Sequence, residues 1–267
     1  MRESGSPGPP GPIMRIVSYN ILDGGEGRAD PLAEVIVAQR PDIVALVEAD
    51  DPAVLARIAS RLKMDLIHAP GNTHAVALLS PFLIIDTINH APLRPNISKC
   101  LLEATVQDAA EVVWTVGVLH LHAHAAEEDE AKREVEIAEV LEVFAKHRAA
   151  GRPHLLMGDF NANAPSQEID PEKCKPCTRE EWQTNGGKIP RRVIQKMLDG
   201  GYLDTLAALH EVGSRTAGTF STQFPGQRID FIFSYGIDLP RLSAAWIERD
   251  RLAKYASDHF PIGVEIE

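Results

Sequence analysis

Positive charge is scarce in this 267-residue chain. Lys and Arg number 27 against 38 Asp and Glu, giving 27 − 38 = −11. A protein that coats nucleic acid over its whole surface carries the opposite balance, so that class is excluded, although a local phosphate contact is not. Over half the excess lies in residues 127–142, which hold eight acids and two bases. Cysteine is equally sparse: three residues, an odd count, form no disulfide framework, and a reducing cytoplasm is the simplest setting. Long apolar runs are missing too. The longest, Ala75 to Ile85, is broken by Ser80-Pro81 and too short to cross a bilayer, so no membrane insertion is expected. Residues 1–12, MRESGSPGPPGP, lack a hydrophobic signal core and read as a flexible tail.

What is present is core-forming material. Apolar residues make up 44% of the chain, enough at this length to bury a core without covalent staples. Arg15–Ile21 and Asp42–Val47 read as strands. Asp30-Pro31 and Asp51-Pro52 supply an N-cap and a first-turn proline for helices ending near Arg40 and Leu62. Three or four strands follow between Met64 and Gln107, then one from Val112 to Leu121. Glu128–Arg148 is the longest helix, with Val135, Ala138, Leu141 and Phe144 at helical spacing and its acidic side expected in solvent. Ala164–Pro190 reads as a long loop over a rim, with Trp182 packing it down and Cys174 and Cys177 as bland loop residues. A strand at 154–157, a helix at Arg191–Leu198 and strands at Ile229–Phe233, Leu242–Ile247 and Ile262–Ile266 complete the chain. Adjacent strands without crossover helices predict largely antiparallel sheets in one α/β domain over residues 13–267.

Polar residues sit at the strand ends. Asn20, Glu48 and His120 close strands, Asp159 and Asn161 follow one in GDFNA, Asp230 lies in RIDFIF, and Asp258-His259 precede the last. Strand ends are where a rigid scaffold presents reactive groups. Such a set suits phosphate-ester cleavage, because an anionic phosphate repels hydroxide unless the site supplies positive charge. A hard cation does so through oxygen ligands, which Glu48, Asp159, Asp258 and Asn20 offer. Asp230 and His259 form a natural carboxylate–imidazole pair. His120, His122 and His124 alternate as zinc ligands on one strand would, but the acidic helix follows at once, so His122 is read as a rim residue.

Tyr19-Asn20, Val47-Glu48, His120-Leu121, Gly158–Ala162 and Ser257-Asp258-His259, with Asp230 before the last, resemble the endonuclease/exonuclease/phosphatase superfamily in both content and order. The resemblance implies an α/β (α+β) four-layer αββα sandwich of two mixed, largely antiparallel sheets. It also implies Mg²⁺- or Mn²⁺-dependent phosphoester hydrolysis. By the same resemblance Glu48 is the main metal carboxylate, with Asn20 and Asp258 as further ligands, direct or through water. Asp159 orients or deprotonates the water, sharing the role of base with His259. Asn161 holds a phosphate oxygen, His259 with Asp230 binds the scissile phosphate, and His120 contacts the phosphate or assists the leaving oxygen.

Departures narrow the substrate. Val47 stands where abasic-site endonucleases of the superfamily usually carry Gln. Leu155-Leu156-Met157 replaces the tryptophan that precedes Gly-Asp in inositol polyphosphate phosphatases, and Leu79-Ser80-Pro81 replaces a common Leu-Ser-Arg. The expected activity is a phosphodiesterase or nuclease acting on nucleic acid or a nucleic-acid adduct. Two alternatives stay open: a phosphomonoesterase or lipid or small-molecule phosphodiesterase, and a non-catalytic binding module on the same fold.

Overall fold

Apolar strands buried on both faces build the structure, alternate residues entering two different cores. A computed structural model describes residues 13–267; the expected tail, residues 1–12, lies outside the described residues. The strands are β1 Met14–Asn20, β2 Ile43–Val47, β3 Asp65–Pro70, β4 Ala75–Ser80, β5 Leu83–Asn89, β6 Cys100–Gln107, β7 Val113–His120, β8 His154–Asp159, β9 Leu203–Asp204, β10 Asp230–Tyr235, β11 Leu242–Ile247 and β12 Ile262–Ile266. The helices are α1 Ala29–Ala38, α2 Pro52–Leu62, α3 Glu127–Val143, α4 Ala145–Ala149, α5 Pro176–Thr184, α6 Arg192–Asp199, α7 Thr205–Leu209, α8 Glu211–Arg215 and α9 Arg251–Ala256.

Two six-stranded sheets run in the orders β11-β12-β1-β2-β4-β3 and β5-β6-β7-β8-β10-β9. Both are mixed. β1 and β2 pair in parallel, as do β7 and β8, and the other described pairs are antiparallel. Inward residues of both sheets, among them Ile16, Val47, Leu102, Val118, Met157 and Val264, form the central core. Outside one sheet, Leu32, Ile36, Leu55 and Ile58 of α1 and α2 cover Val44 and Leu46. Outside the other, Ile137, Val140 and Met197 of α3 and α6 cover Leu119, Leu156 and Phe231. The result is the αββα sandwich. Among the described residues no helix is long and apolar enough to cross a membrane.

Several local expectations need correction. The long helix breaks at Phe144, and its buried stripe is Ile137, Val140 and Val143, with Val135 half exposed instead. Its acidic side is not wholly solvated: Asp129, Glu130, Arg133 and Glu136 are all buried. Glu130 and Arg133 pair with each other, while Arg133 donates to the carbonyls of His122, Ala123 and His124. A count of charge does not reveal such pairing, and pairing lets a charged face turn inward. The 164–190 segment also carries the helix α5. Trp182 is buried there, as expected.

Candidate active site

Side-chain alternation brings the polar strand ends together. On β7, Val116 and Val118 point into the central core, and His120 continues that row. On β8 the row is Leu155, Met157, Asp159; on β10 it is Ile232, then Asp230; on β1 it is Met14 and Ile16, with Asn20 at the end. The register sets His120, Asp159 and Asp230 side by side across three strands. The site is therefore the polar cap of the core between the sheets. Glu48 follows β2 with φ of 55°, a left-handed conformation that costs about 1–3 kcal/mol for a non-glycine residue. Its carboxylate accepts from the Asp23 backbone N–H at 2.8 Å and from Asn20 Nδ2 at 3.0 Å.

Asn20 also donates to Asp159 Oδ2 at 3.2 Å, while its oxygen accepts the Leu22 N–H at 3.0 Å. The expected oxygen ligand is thus turned toward the backbone, and the amide nitrogen brackets two carboxylates. Asp159 Oδ1 accepts the Asn161 N–H at 2.8 Å, and Asn161 Nδ2 donates to the Leu121 carbonyl at 3.0 Å. His259 Nδ1 lies 2.9 Å from Asp230 Oδ2, and its Nε2 lies 3.8 Å from Asp159 Oδ2. From the other side, His120 Nε2 lies 3.6 Å from the same Asp159 oxygen and 4.0 Å from Glu48 Oε1. Asp258 has Oδ1 4.0 Å from His259 Nε2, and that oxygen is buried without a hydrogen-bond partner among the described residues.

Burial and the charge of Asp230 push the Asp159 carboxyl up to about 7. For His259, burial opposes the cation, but the charge and hydrogen bond of Asp230, with Asp159 and Asp258, prevail and raise it to about 10. Burial also works against the Glu48 carboxylate, yet the Asp23 N–H and Asn20 amide hold it below its ordinary range. His120 is driven well below the usual histidine value by burial and by Lys99.

Sequence reasoning missed Lys99. It immediately precedes β6, and antiparallel pairing places Cys100 opposite His120, so Lys99 lands at the same rim. Its Nζ is 2.7 Å from His120 Nε2. The hairpin register was the signal that could have found it. Phe220 was missed too, its ring 4.7 Å from that of His259. His74 also reaches the site, stacking on His120 with centroids 5.4 Å apart and bonding Asp50 at 2.8 Å. His122 and His124 do not: each pairs with a carboxylate outside it, Asp129 and Glu181. Beside Asn161 and Phe220 opens a cavity of about 240 Å³, lined also by Lys175, Trp182 and Gln227.

Asp159, Asp230 and His259 bring ligand-type atoms within 4.8 Å of one another. The Asp230–His259 bond marks those two as a dyad, so Asp159, Glu48 and the unpartnered Asp258 oxygen are the oxygens that could hold a hard cation. This donor chemistry fits a divalent metal.

The fold has known counterparts. A 3' phosphatase, NExo, from Neisseria, bound to a product DNA hairpin, superposes with a TM-score of 0.73 at 22% identity, covering 95% of this chain and 99% of that one. An AP endonuclease from Archaeoglobus fulgidus gives 0.71 at 19% identity, with coverages of 95% and 99%. Truncated TDP2 from Caenorhabditis elegans gives 0.65 at 17%, with coverages of 95% and 97%. A search of curated protein sequences returns no match. The model of the Endonuclease/Exonuclease/phosphatase family matches residues 17–259, and the chain belongs to that family.

Proposed function

We propose that this chain is a divalent-metal-dependent phosphodiester hydrolase whose substrate is nucleic acid or a nucleic-acid adduct. The observation that carries the reading is the meeting of Glu48, Asp159, Asp258 and the Asp230–His259 dyad at one rim, from segments spread over the whole chain. The structural neighbours named for a DNA hairpin and for AP endonuclease activity support a nucleic acid over another diester.

In this reading Glu48 and Asp258 hold Mg²⁺ or Mn²⁺, with Asp159 beside them. The bound cation neutralises phosphate charge and acidifies water. Asp159, bracketed by Asn20 and the Asn161 N–H, orients the attacking water and takes its proton. Asn161 and His259 hold phosphate oxygens. The dyad keeps His259 cationic, so it meets negative charge as the water–phosphorus bond forms and the ester bond breaks, the leaving oxygen departing with the bonding pair and then taking up a proton from solvent. His120 closes the opposite side of the phosphate position.

The test is turnover of bis(p-nitrophenyl) phosphate and of single-stranded, double-stranded and 3'-phosphorylated DNA and RNA. Hydrolysis with Mg²⁺ or Mn²⁺, its loss in EDTA, and an inactive Asp159→Asn with unchanged melting temperature are expected. A folded protein inert toward every substrate and metal would overturn the proposal. Preference for the terminal phosphate would favour the phosphomonoesterase reading, to which the net charge of −11 lends weight.

A further inference from the structure

Lys99 has no place in the scheme above, yet its setting is unusual. It is only 9% exposed, and burial lowers its pKa from the ordinary lysine value, opposed by the carboxylates of Asp159, Glu48 and Glu136, which favour the ammonium. As the ammonium, which these carboxylates favour, lysine carries donors and no acceptor. At 2.7 Å from Lys99 Nζ, His120 Nε2 must therefore accept, which puts the imidazole proton on Nδ1. Nδ1 is buried and has no partner among the described residues, with the His74 ring stacked alongside. In this state His120 has no Nε2 proton to give to a leaving oxygen. The ammonium, in contrast, keeps two of its three hydrogens for other acceptors.

We propose that Lys99 is the phosphate-contacting catalytic residue on this side of the site and that His120 is a positioning residue that aims it. The proposal rests on the hydrolase reading and refines it. Lys99 meets a non-bridging phosphate oxygen and counters its growing charge as the ester bond breaks. Neighbouring contacts hold the lysine in place. Glu136 of α3 accepts from the Ser98 N–H and Oγ and, through its other oxygen, from the His122 N–H at 2.7 Å. One helix residue thereby anchors the chain beside Lys99 and beside His120.

The test joins three measurements on the full chain. In the metal-free protein, ¹⁵N-detected imidazole spectra should show His120 protonated at Nδ1 and bare at Nε2, with the Nε2 signal shifted in Lys99→Met. An Nε2–H tautomer in the wild type would overturn the proposal. Titration with inorganic phosphate should show at least about tenfold weaker binding in Lys99→Met and recovery of most of it in Lys99→Arg. Equal affinity in wild type and Lys99→Met, or no phosphate binding by the wild type, would overturn it. A purely structural lysine would lower the melting temperature and leave the phosphate affinity of the folded fraction unchanged.

For turnover, Lys99→Met should lower kcat on the order of 10²–10³-fold for both a p-nitrophenyl diester and a dinucleotide. His120→Gln keeps an acceptor for the ammonium and should lose less than His120→Leu, by the same factor on both substrates. A His120→Gln loss that grows with the poorer leaving group would show imidazole acting as the acid and refute the assignment. Wild-type protein that binds phosphate through Lys99 but hydrolyses nothing would sink the hydrolase reading and this catalytic role while leaving the Lys99–His120 phosphate contact standing.

Discussion

At the scale of single residues, Asp230 and His259 have the clearest consequence. Burial alone would strip the His259 proton, and Asp230 reverses that outcome. Asp230→Asn removes the reversing charge, so in metal-free protein His259 should change from protonated at pH 8 to neutral there. An NMR titration of the His259 ring checks this; an unchanged titration would show that Asp159 and Asp258 suffice. Turnover should fall on the order of 10²–10⁴-fold, the usual range for a lost acid–base or charge-stabilising partner. Asp230 and His259 were legible in the sequence because each sits in a short string, RIDFIF and SDHFP, that joins a polar residue to an apolar strand. Asn20 was legible as a site residue but not in its orientation, since which end of an amide faces the carboxylates depends on the Leu22 N–H. Lys99 carries no local signature at all; only the pairing of β6 with β7 gives it meaning.

At the scale of elements, the cap of α2 was readable but that of α1 was not: Asp30 lies inside α1, whose N-cap is Arg28, and its carboxylate pairs with Arg57 and Arg61, a tertiary charge pairing the sequence does not display. Asp51 caps α2 as the Asp-Pro signal implies, accepting from the Ala53 N–H at 2.8 Å and the Val54 N–H at 3.3 Å. Asp51→Ala should cost about 1 kcal/mol of stability, measured by urea unfolding, without touching turnover. Glu136 makes the opposite case. Its sequence neighbourhood suggests a solvated acid, yet it is 1% exposed and holds two loops to α3. Replacing it with Ala strands buried N–H groups, so a loss of about 1–3 kcal/mol is expected, accompanied by weaker turnover as Lys99 loosens. A Glu136→Ala protein as stable as the parent would mean that water replaces those bonds at no cost. Short elements such as β9, α7, α8 and α9 escaped the sequence because each has six residues or fewer, too few to display a period.

At the scale of the whole molecule, two separated sets of charged groups give stability a dependence on solution conditions. Far from the site, Glu103 of β6 gathers His90, Lys146 and His147, and despite the opposing effect of burial these bonds pull its carboxyl down to about 2. On β8, burial lowers His154 to about 4. Both folded values lie below the ordinary ones of 4.5 and 6.5, so both contributions are complete above those values and vanish as pH falls toward the lower ones. These two groups make melting temperature decline below pH 6.5, while Asp159, raised to about 7, and His259, raised to about 10, contribute stability that is lost as pH rises through those values; Glu103→Gln should flatten the part of the acid decline below pH 4.5. At the rim the imbalance has the other sign. Glu48, Asp159, Asp230 and Asp258 converge there against Lys99, Lys175 and His259, and the Asp258 Oδ1 atom has no hydrogen-bond partner among the described residues. Crowded carboxylates repel one another in the folded state and separate on unfolding, so a divalent cation that binds only the folded form must stabilise it. At a hundred times its dissociation constant the gain is about 2.7 kcal/mol. Melting in Mg²⁺ or Mn²⁺ against EDTA measures it directly, with no substrate. The rise should persist in Lys99→Met, where one competing cation is gone, and disappear in the double variant Glu48→Gln, Asp258→Asn. A melting temperature indifferent to both metals at millimolar concentration would mean that these oxygens hold no ion, and the proposed metal-dependent chemistry would lose its footing.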